Sequence, residues 1–155
     1  MQESGILIRP ASLDEIIDLR HAILRAGLPR SEAIFDGDDH PTSRHYAAVD
    51  PATESVVACA TIHLNTWENE PAWQLRGMAT DPTVRRTGVG RRLLEFLEQD
   101  LRAHPAAPPQ LWCNARTPAI GFYQRMGWSV VSAVFEIPTA GPHVRMVKRL
   151  VCIIR

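Results

Sequence analysis

The segment that decides the fold of this chain reads Arg85-Arg86-Thr87-Gly88-Val89-Gly90-Arg91-Arg92. It lies between a predicted strand, about residues 73–80, and a predicted amphipathic helix, about residues 89–103. Glycine lets the backbone approach a ligand closely, and the first turn of a helix carries amide donors that have no acceptor within the helix. Together with four arginines, these donors favour an anion site suited to a pyrophosphate.

Other interpretations of this segment compete with the pyrophosphate site. A dinucleotide-binding fingerprint would need a third glycine where Leu93 stands, and a P-loop would need a Gly-Lys-Ser/Thr sequence that the segment lacks. A solvated basic turn, however, fits the local sequence as well as an anion site does. The segment alone therefore leaves two interpretations open.

The rest of the chain predicts a single α/β domain over residues 1–155, with a mixed sheet and helices on its faces. Ser12 can cap a first helix, and Glu15, three residues later, completes a capping box. Thr117 is the predicted N-cap of a short third helix, and Gly127 fits the left-handed position after that helix. Strands are predicted at about residues 6–9, 45–49, 55–64, 73–80, 111–114, 128–137 and 144–152.

The overall charge and composition argue against several classes of partner. Seventeen basic residues balance seventeen acidic ones, so no net positive field exists to attract nucleic acid or an anionic membrane. The first residues lack a basic region and a long apolar region, so we expect no secretory signal and a cytoplasmic protein. The three cysteines lack CxxC spacing, which argues against a disulfide framework or a zinc site. We therefore expect neither a metal ion nor nucleic acid nor a membrane as a ligand.

Two blocks of sequence, Arg85-x-x-Gly88-x-Gly90 and Phe122-Tyr123-x-x-x-Gly127-Trp128, together resemble the GNAT N-acetyltransferase superfamily. The block Gly141-Pro142-His143 resembles a feature of one bacterial subgroup of small-molecule acetyltransferases in that superfamily. The resemblance covers nearly the whole chain. The chain departs from the pattern at Arg86, where many relatives have glycine, so the loop must tolerate an extra side chain.

The resemblance implies a GNAT-like acyl-CoA N-acyltransferase fold. In this fold the central sheet splays between the strands near 73–80 and 111–114, and helices cover both faces. Acetyl-CoA is the implied acyl donor, with its pantetheine arm pairing as an extra strand in the gap and its pyrophosphate held by the loop amides. The implied cofactor-binding residues are Met78, Ala79, Thr80, Arg85, Arg86, Thr87, Gly88, Val89, Gly90, Arg91 and Asn114.

The resemblance also implies direct attack of an acceptor amine on the thioester in a ternary complex. Tyr123 occupies the position of the superfamily's general acid, which protonates the departing thiolate; a core aromatic is the competing interpretation. An N–H near Met78 is the expected donor to the developing oxyanion. The general base stays open among Glu68, Glu70, Asp39, His40 and His143.

Charged residues near the expected acceptor end have two interpretations each. Arg76 and Arg116 could bind an acceptor carboxylate or could pair with acidic loops. The acid-rich segment 36–39 could attract a cationic acceptor or could be a solvated loop.

The sequence thus predicts an acetyl-CoA-dependent N-acetyltransferase acting on a primary amine of a small or amino-acid-like acceptor. The alternative is a non-catalytic acyl-CoA-binding regulatory module. A nucleotide-binding protein is disfavoured because the loop lacks the lysine and the Mg²⁺-binding hydroxyl of a P-loop. The apolar residues 151–154 could complete the sheet or pair with a second copy, which leaves a homodimer open.

Overall fold

A mixed sheet organises the chain in a computed structural model, which describes residues 5–104 and 107–150. The strands are β1 (Leu7–Ala11), β2 (Arg44–Asp50), β3 (Ser55–Leu64), β4 (Trp73–Thr80), β5 (Gln110–Arg116), β6 (Ser129–Val130), β7 (Phe135–Ile137) and β8 (Gly141–Arg149). The α-helices are α1 (Leu13–Leu24), α2 (Val89–Arg102) and α3 (Ile120–Arg125). No helix within those ranges is long and apolar enough to cross a membrane.

The strand order is β1-β2-β3-β4-β5-β8-β6, with β7 also paired to β8. Among the described strands, β4 and β5 form the one parallel pair. Leu93, Leu94 and Leu97 of α2 pack into the larger apolar core, while Ile16 of α1 packs into a second cluster with Ala79 of β4. The helices therefore cover both faces of a mixed sheet, which confirms the predicted fold class.

Two local sequence signals act as predicted, and a third does not. The amide of Glu15 donates to Oγ of Ser12 at 3.3 Å, and the amide of Ser12 donates to Oε1 of Glu15 at 2.9 Å, which is the predicted capping box. Gly127 has a φ of 90° in the left-handed region. The predicted N-cap at Thr117 is wrong: this residue begins a 3₁₀ turn, Thr117–Ala119, whose cap position is Arg116 and which precedes α3.

The predicted strand over residues 128–137 is also wrong, because two short strands, β6 and β7, occupy that region. Val130 pairs with Met146 and Phe135 pairs with His143, so five steps on the outer chain match three steps on β8. The extra residues between β6 and β7 must bulge away from the ladder. Within this bulge, Oγ of Ser132 accepts a hydrogen bond from the backbone amide of Arg145 in β8. The predicted strand end at residue 152 lies outside the described residues.

The parallel pair between β4 and β5 is short. It extends only over residues 73–75 and 111–113. On its other side, β4 takes three steps from Arg76 to Ala79 where β3 takes two, from Thr61 to Cys59, so β4 carries a bulge. Gly77 in this bulge has a φ of 63°, which glycine adopts more readily than other residues. The bulge and the short pairing leave the predicted gap between β4 and β5.

Candidate active site

A cavity of about 300 Å³ fills the gap between β4 and β5. Residues 74–78 of β4 and residues 113–116 of β5 form two of its walls. Tyr123 of α3 lines it on one side. Phe35 and His143 line it from the loop before β2 and from the start of β8. Parts of the chain that are far apart in sequence therefore meet at the place where the sheet opens.

Tyr123 lies where the β4 bulge brings Met78 onto the face covered by α2 and α3. Its Oη is 3.7 Å from Sδ of Met78, and its ring packs against the rings of Phe122 and Trp128 with centroids 5.2 and 5.4 Å away. Burial, with a smaller effect of Cys113, raises the pKa of Tyr123 well above its usual value. The phenol is therefore a core aromatic and also a protonated group at the cavity wall.

Around the start of α2, six consecutive backbone amides form what we term the amide cradle (residues 86–91). Within the described part of the chain, none of these six amides has a hydrogen-bond acceptor. Gly88 occupies the N-cap of α2 with a left-handed φ of 86° and supplies no capping side chain. Amides without an internal acceptor at a helix start are the donors that an anion-binding helix start offers.

The side chains of the amide cradle show what each predicted position can contribute. Val89 is buried in the core, and Oγ1 of Thr87 donates to the carbonyl of Val84, so their side chains serve packing and loop shape. The side chains of Arg85, Arg86 and Arg91 are exposed beside the cradle. Nη1 of Arg91 lies 3.7 Å from Oε2 of Glu95.

The amide cradle adjoins the gap, and the residues there fit a coenzyme A thioester. A Cβ built on Gly90 would lie 3.6 Å from Oγ1 of Thr80, so the start of α2 contacts the last residue of β4. On the other lip, Oδ1 of Asn114 is buried without a hydrogen-bond partner, although buried polar atoms usually have one. A diphosphate at the cradle and an amide-bearing arm along the gap would satisfy these donors and this acceptor.

Of the five candidate bases, His143 alone lines the cavity. Glu68 and Glu70 line a different surface pocket, with residues 107–110 and Arg149 at the opposite end of β5. Neither of these carboxylates lines the cavity beside Tyr123. Asp39 and His40 are exposed in the loop before β2 and are not part of the cavity lining.

The imidazole of His143 has a defined orientation. Its Nδ1 lies 2.7 Å from the carbonyl oxygen of Gly141, which can only accept, so Nδ1 carries the proton and Nε2 keeps the lone pair in the neutral ring. Its ring lies beside that of Phe135, with centroids 6.2 Å apart. In the register of β5 and β8, His143 stands opposite Arg116.

The cavity residues that sequence reasoning missed include Arg25 and Phe35. In the acidic segment, Asp36 and Asp39 are exposed, as in the solvated-loop interpretation, but Asp38 is not. Asp38 is buried and forms an ion pair of 2.6 Å with the fully buried Arg20, so it is not available to a cationic acceptor. Arg76 donates to the carbonyl of Asp36 at 2.9 Å rather than to a carboxylate. No sequence signal marks Arg25 or Phe35, because neither belongs to a motif and only tertiary packing brings them to the gap.

Comparisons with known proteins agree with this geometry. The model of the acetyltransferase (GNAT) family matches residues 13–128. YitI of Bacillus subtilis, described as an uncharacterized N-acetyltransferase, is 28% identical over 144 residues, which span 92% of this chain and 95% of that protein.

Two solved structures share the fold. An aminoglycoside 6'-N-acetyltransferase in complex with coenzyme A aligns with a TM-score of 0.66 at 18% identity and covers 96% of this chain and 98% of its own. Escherichia coli ElaA aligns with a TM-score of 0.68 at 20% identity and covers 93% of this chain and 99% of its own. At these identities the likeness concerns the fold alone. With the family model matching most of its length, the chain belongs to the GNAT acetyltransferase family and is an N-acetyltransferase.

Proposed function

We propose that this protein transfers the acetyl group of acetyl-CoA to a primary amine of a small or amino-acid-like acceptor, by direct attack in a ternary complex. The observation that carries the proposal is the amide cradle, whose six donors lack internal acceptors and adjoin the open edge of β4. Coenzyme A complexed with a protein of this fold is consistent with such a donor. The small cavity of about 300 Å³ favours a short acyl group.

Bound acetyl-CoA would supply a thioester whose carbonyl carbon bonds to the acceptor nitrogen as the C–S bond breaks. The residues of the chain manage the protons of this exchange. At pH 7 an alkylammonium with a pKa of about 10.4 must first lose a proton, which costs roughly 4 to 5 kcal/mol. The lone pair on Nε2 of His143, which lines the cavity, can accept this proton.

Tyr123 donates a proton, whereas His143 accepts one. Its phenol holds a proton at neutral pH, as an ordinary tyrosine does, and burial raises the pKa of Tyr123 further. Its Oη lies at the cavity wall beside Met78. It donates this proton to the departing sulfur, and the proton that the nitrogen loses when the amide forms restores the phenol. One proton per turnover thus leaves through His143. An amide at the β4 bulge near Met78 is the proposed donor to the carbonyl oxygen.

The test is release of free thiol from acetyl-CoA by the full chain, with a panel of amino acids, polyamines and aminoglycosides. We expect release that depends on an amine and exceeds hydrolysis without one. A thermal-shift titration with coenzyme A alone is the parallel measurement. Binding of coenzyme A without release by any amine would instead support a non-catalytic acyl-CoA-binding module, and no binding at all would remove the amide cradle as a coenzyme site.

A further inference from the structure

Three arginines border the cavity, and we name them together the basic wall (Arg25, Arg76 and Arg116). They come from the end of α1, from β4 and from β5, and all three line the cavity. Neither Asp nor Glu is present among the described residues that line this cavity. The space beside Tyr123 and His143 is therefore bordered by positive charge alone.

The charge of the basic wall is not neutralised by the protein. Nη1 of Arg25 and Nη2 of Arg116 both donate to the carbonyl of Leu24, at 2.9 and 3.2 Å. Nη1 of Arg76 donates to the carbonyl of Asp36 and contacts Nε2 of His63, each at 2.9 Å. Across the described ranges, no carboxylate forms an ion pair with any of these guanidiniums. Carbonyl oxygens carry only partial charge, so most of the wall's positive charge remains.

The ring of Phe35 orients two guanidiniums of the basic wall without adding negative charge. The guanidinium carbons of Arg25 and Arg76 lie 4.9 and 5.0 Å from its centroid. A cation–π contact restricts the position of a guanidinium and leaves its edge N–H groups available. By contrast, the nearby Arg20, 4.2 Å from the same ring, has its charge compensated by Asp38. The wall is thus preorganised for a ligand.

Holding these cations together is unfavourable for the unliganded protein. Burial lowers the pKa of Arg25 and of Arg76, and the positive charge of Arg116 lowers the pKa of Arg25 further. Against the effect of burial, the buried carboxylate of Asp38 raises the pKa of Arg76, although Asp38 is itself ion-paired with Arg20. Exposed Glu32 and Asp36 raise the pKa of Arg25 and of Arg76, respectively, as smaller effects. Partly buried charges of one sign without an ion-paired carboxylate are typical of binding sites where the ligand brings the opposite charge.

We propose that the acceptor amine carries a carboxylate, which the basic wall binds while the amino group lies toward His143 and Tyr123. This inference rests on the proposed function and specifies its acceptor class as amino acids. Arginine binds a carboxylate through paired N–H donors, which fixes orientation as well as charge. The same cations would disfavour a second positive charge nearby, so the acceptor amine would lose its proton more readily. Polyamines and aminoglycosides would be repelled.

The first experiment uses matched acceptors. The acceptors are the standard L-amino acids, β-alanine and the longer ω-amino acids, and each is compared with its own carboxamide. Thiol release measures turnover, and the thermal shift in the presence of coenzyme A measures binding. We expect at least one free acid to exceed its amide by about tenfold or more in kcat/KM. Amides used as well as the acids, or turnover confined to polyamines, aminoglycosides or phosphoethanolamine, would overturn the inference but leave the proposed function standing. Lack of turnover with every amine, despite coenzyme A binding, would overturn both.

The second experiment uses single replacements Arg25→Gln, Arg76→Gln and Arg116→Gln. Arg30→Gln is the matched control, because Arg30 is exposed, pairs with Asp18 and does not line the cavity. We expect each wall variant to lower the acid-to-amide ratio of kcat/KM about tenfold, with the thermal shift by coenzyme A retained. A merely structural role would lower both rates and leave this ratio unchanged. An unchanged ratio in all three wall variants would therefore overturn the proposal.

Discussion

The amide cradle and the basic wall lie at the same gap, yet they are built in different ways. The cradle consists of backbone donors from one continuous segment, residues 86–91, at the start of α2. The wall consists of side chains from the end of α1, from β4 and from β5, held by the carbonyl oxygens of Leu24 and Asp36 and by the ring of Phe35. A site made of backbone amides tolerates substitutions unless the new side chain occupies the space of the ligand. A site made of side chains loses part of its binding with each residue that is replaced. This difference determines how the two regions should respond to mutation.

The largest expected effect is in the amide cradle, from Gly88→Glu. The new side chain and its negative charge would stand where the coenzyme phosphates are expected, at a φ of 86° that strains most residues. We expect the KM for acetyl-CoA to rise about 100-fold or more. Gly88→Asn is the control, because asparagine tolerates this φ and carries no charge. Initial rates against acetyl-CoA concentration measure both, and equal KM values for the two variants would contradict a phosphate-binding role.

The second-largest effect is expected at Tyr123, the proposed general acid, which lies between the amide cradle and the basic wall. Tyr123→Phe removes the hydroxyl, whose observed contact is the 3.7 Å approach to Met78, so the fold should persist. We expect kcat to fall about 100-fold with little change in the KM for acetyl-CoA. Tyr46→Phe is the matched control, because its hydroxyl donates to Asp100 away from the cavity. Wild-type turnover in the Tyr123 variant would remove the phenol from the reaction.

The pH dependence follows from the protonation of the same phenol. A raised pKa keeps Tyr123 protonated, so the acid remains in its active form as the pH increases. We therefore expect kcat of the wild type not to decline on the alkaline side until about pH 10 or above. The measurement is a kcat profile for wild type and Tyr123→Phe. A decline near neutral pH that the variant lacks would mean that the phenol ionises earlier than its burial indicates.

A smaller effect is expected behind the basic wall, at the β4 bulge. In Gly77→Ala the new Cβ would lie 2.7 Å from Nε of Arg20, at a φ of 63°. Arg20 is fully buried and tied to Asp38 and Thr61, so it has little freedom to move away. We expect the free energy of unfolding in urea to fall by about 2 kcal/mol or more. Gly27→Ala is the control, since its Cβ would meet nothing within 4 Å at a φ of 81°, and it should cost only about 1 kcal/mol. Equal losses of unfolding free energy in the two variants would mean that the side chain of Arg20 can move away from the new Cβ.

The smallest effect lies far from both regions. Ser12→Ala removes the side-chain acceptor of the α1 capping box while leaving the cradle and the wall intact. We expect the free energy of unfolding to fall by about 1 kcal/mol, with no change in the KM of either substrate. Urea unfolding and initial rates measure the two quantities. A raised acceptor KM would indicate that the start of α1 also positions Arg25 near its end.

The sequence predicted those features that depend on residues close together in the chain. The capping box of Ser12 and Glu15 and the left-handed Gly127 need only three or four neighbouring residues, and both are present. The family pattern also predicted the splay between β4 and β5, which the short parallel pairing confirms. The roles of the predicted site residues, including Tyr123, stay predictions. Local signals failed at Thr117, because the preceding Arg116 takes the cap position of a 3₁₀ turn.

Only the tertiary structure decided which side chains share the cavity. Glu68 and His143 were both open candidates for the base, but the sheet places Glu68 at the far end of β5 and His143 in the gap. Arg25 and Phe35 became visible only when α1 and the loop before β2 packed beside β4. The physical reason is that a helix start exposes its donors through local backbone geometry, whereas a cluster of side chains depends on the face and the end of the sheet that each element reaches. By itself, then, the sequence located the segment of the amide cradle and offered Arg76 and Arg116 as candidates. The fold added Arg25 and brought the three arginines to one cavity.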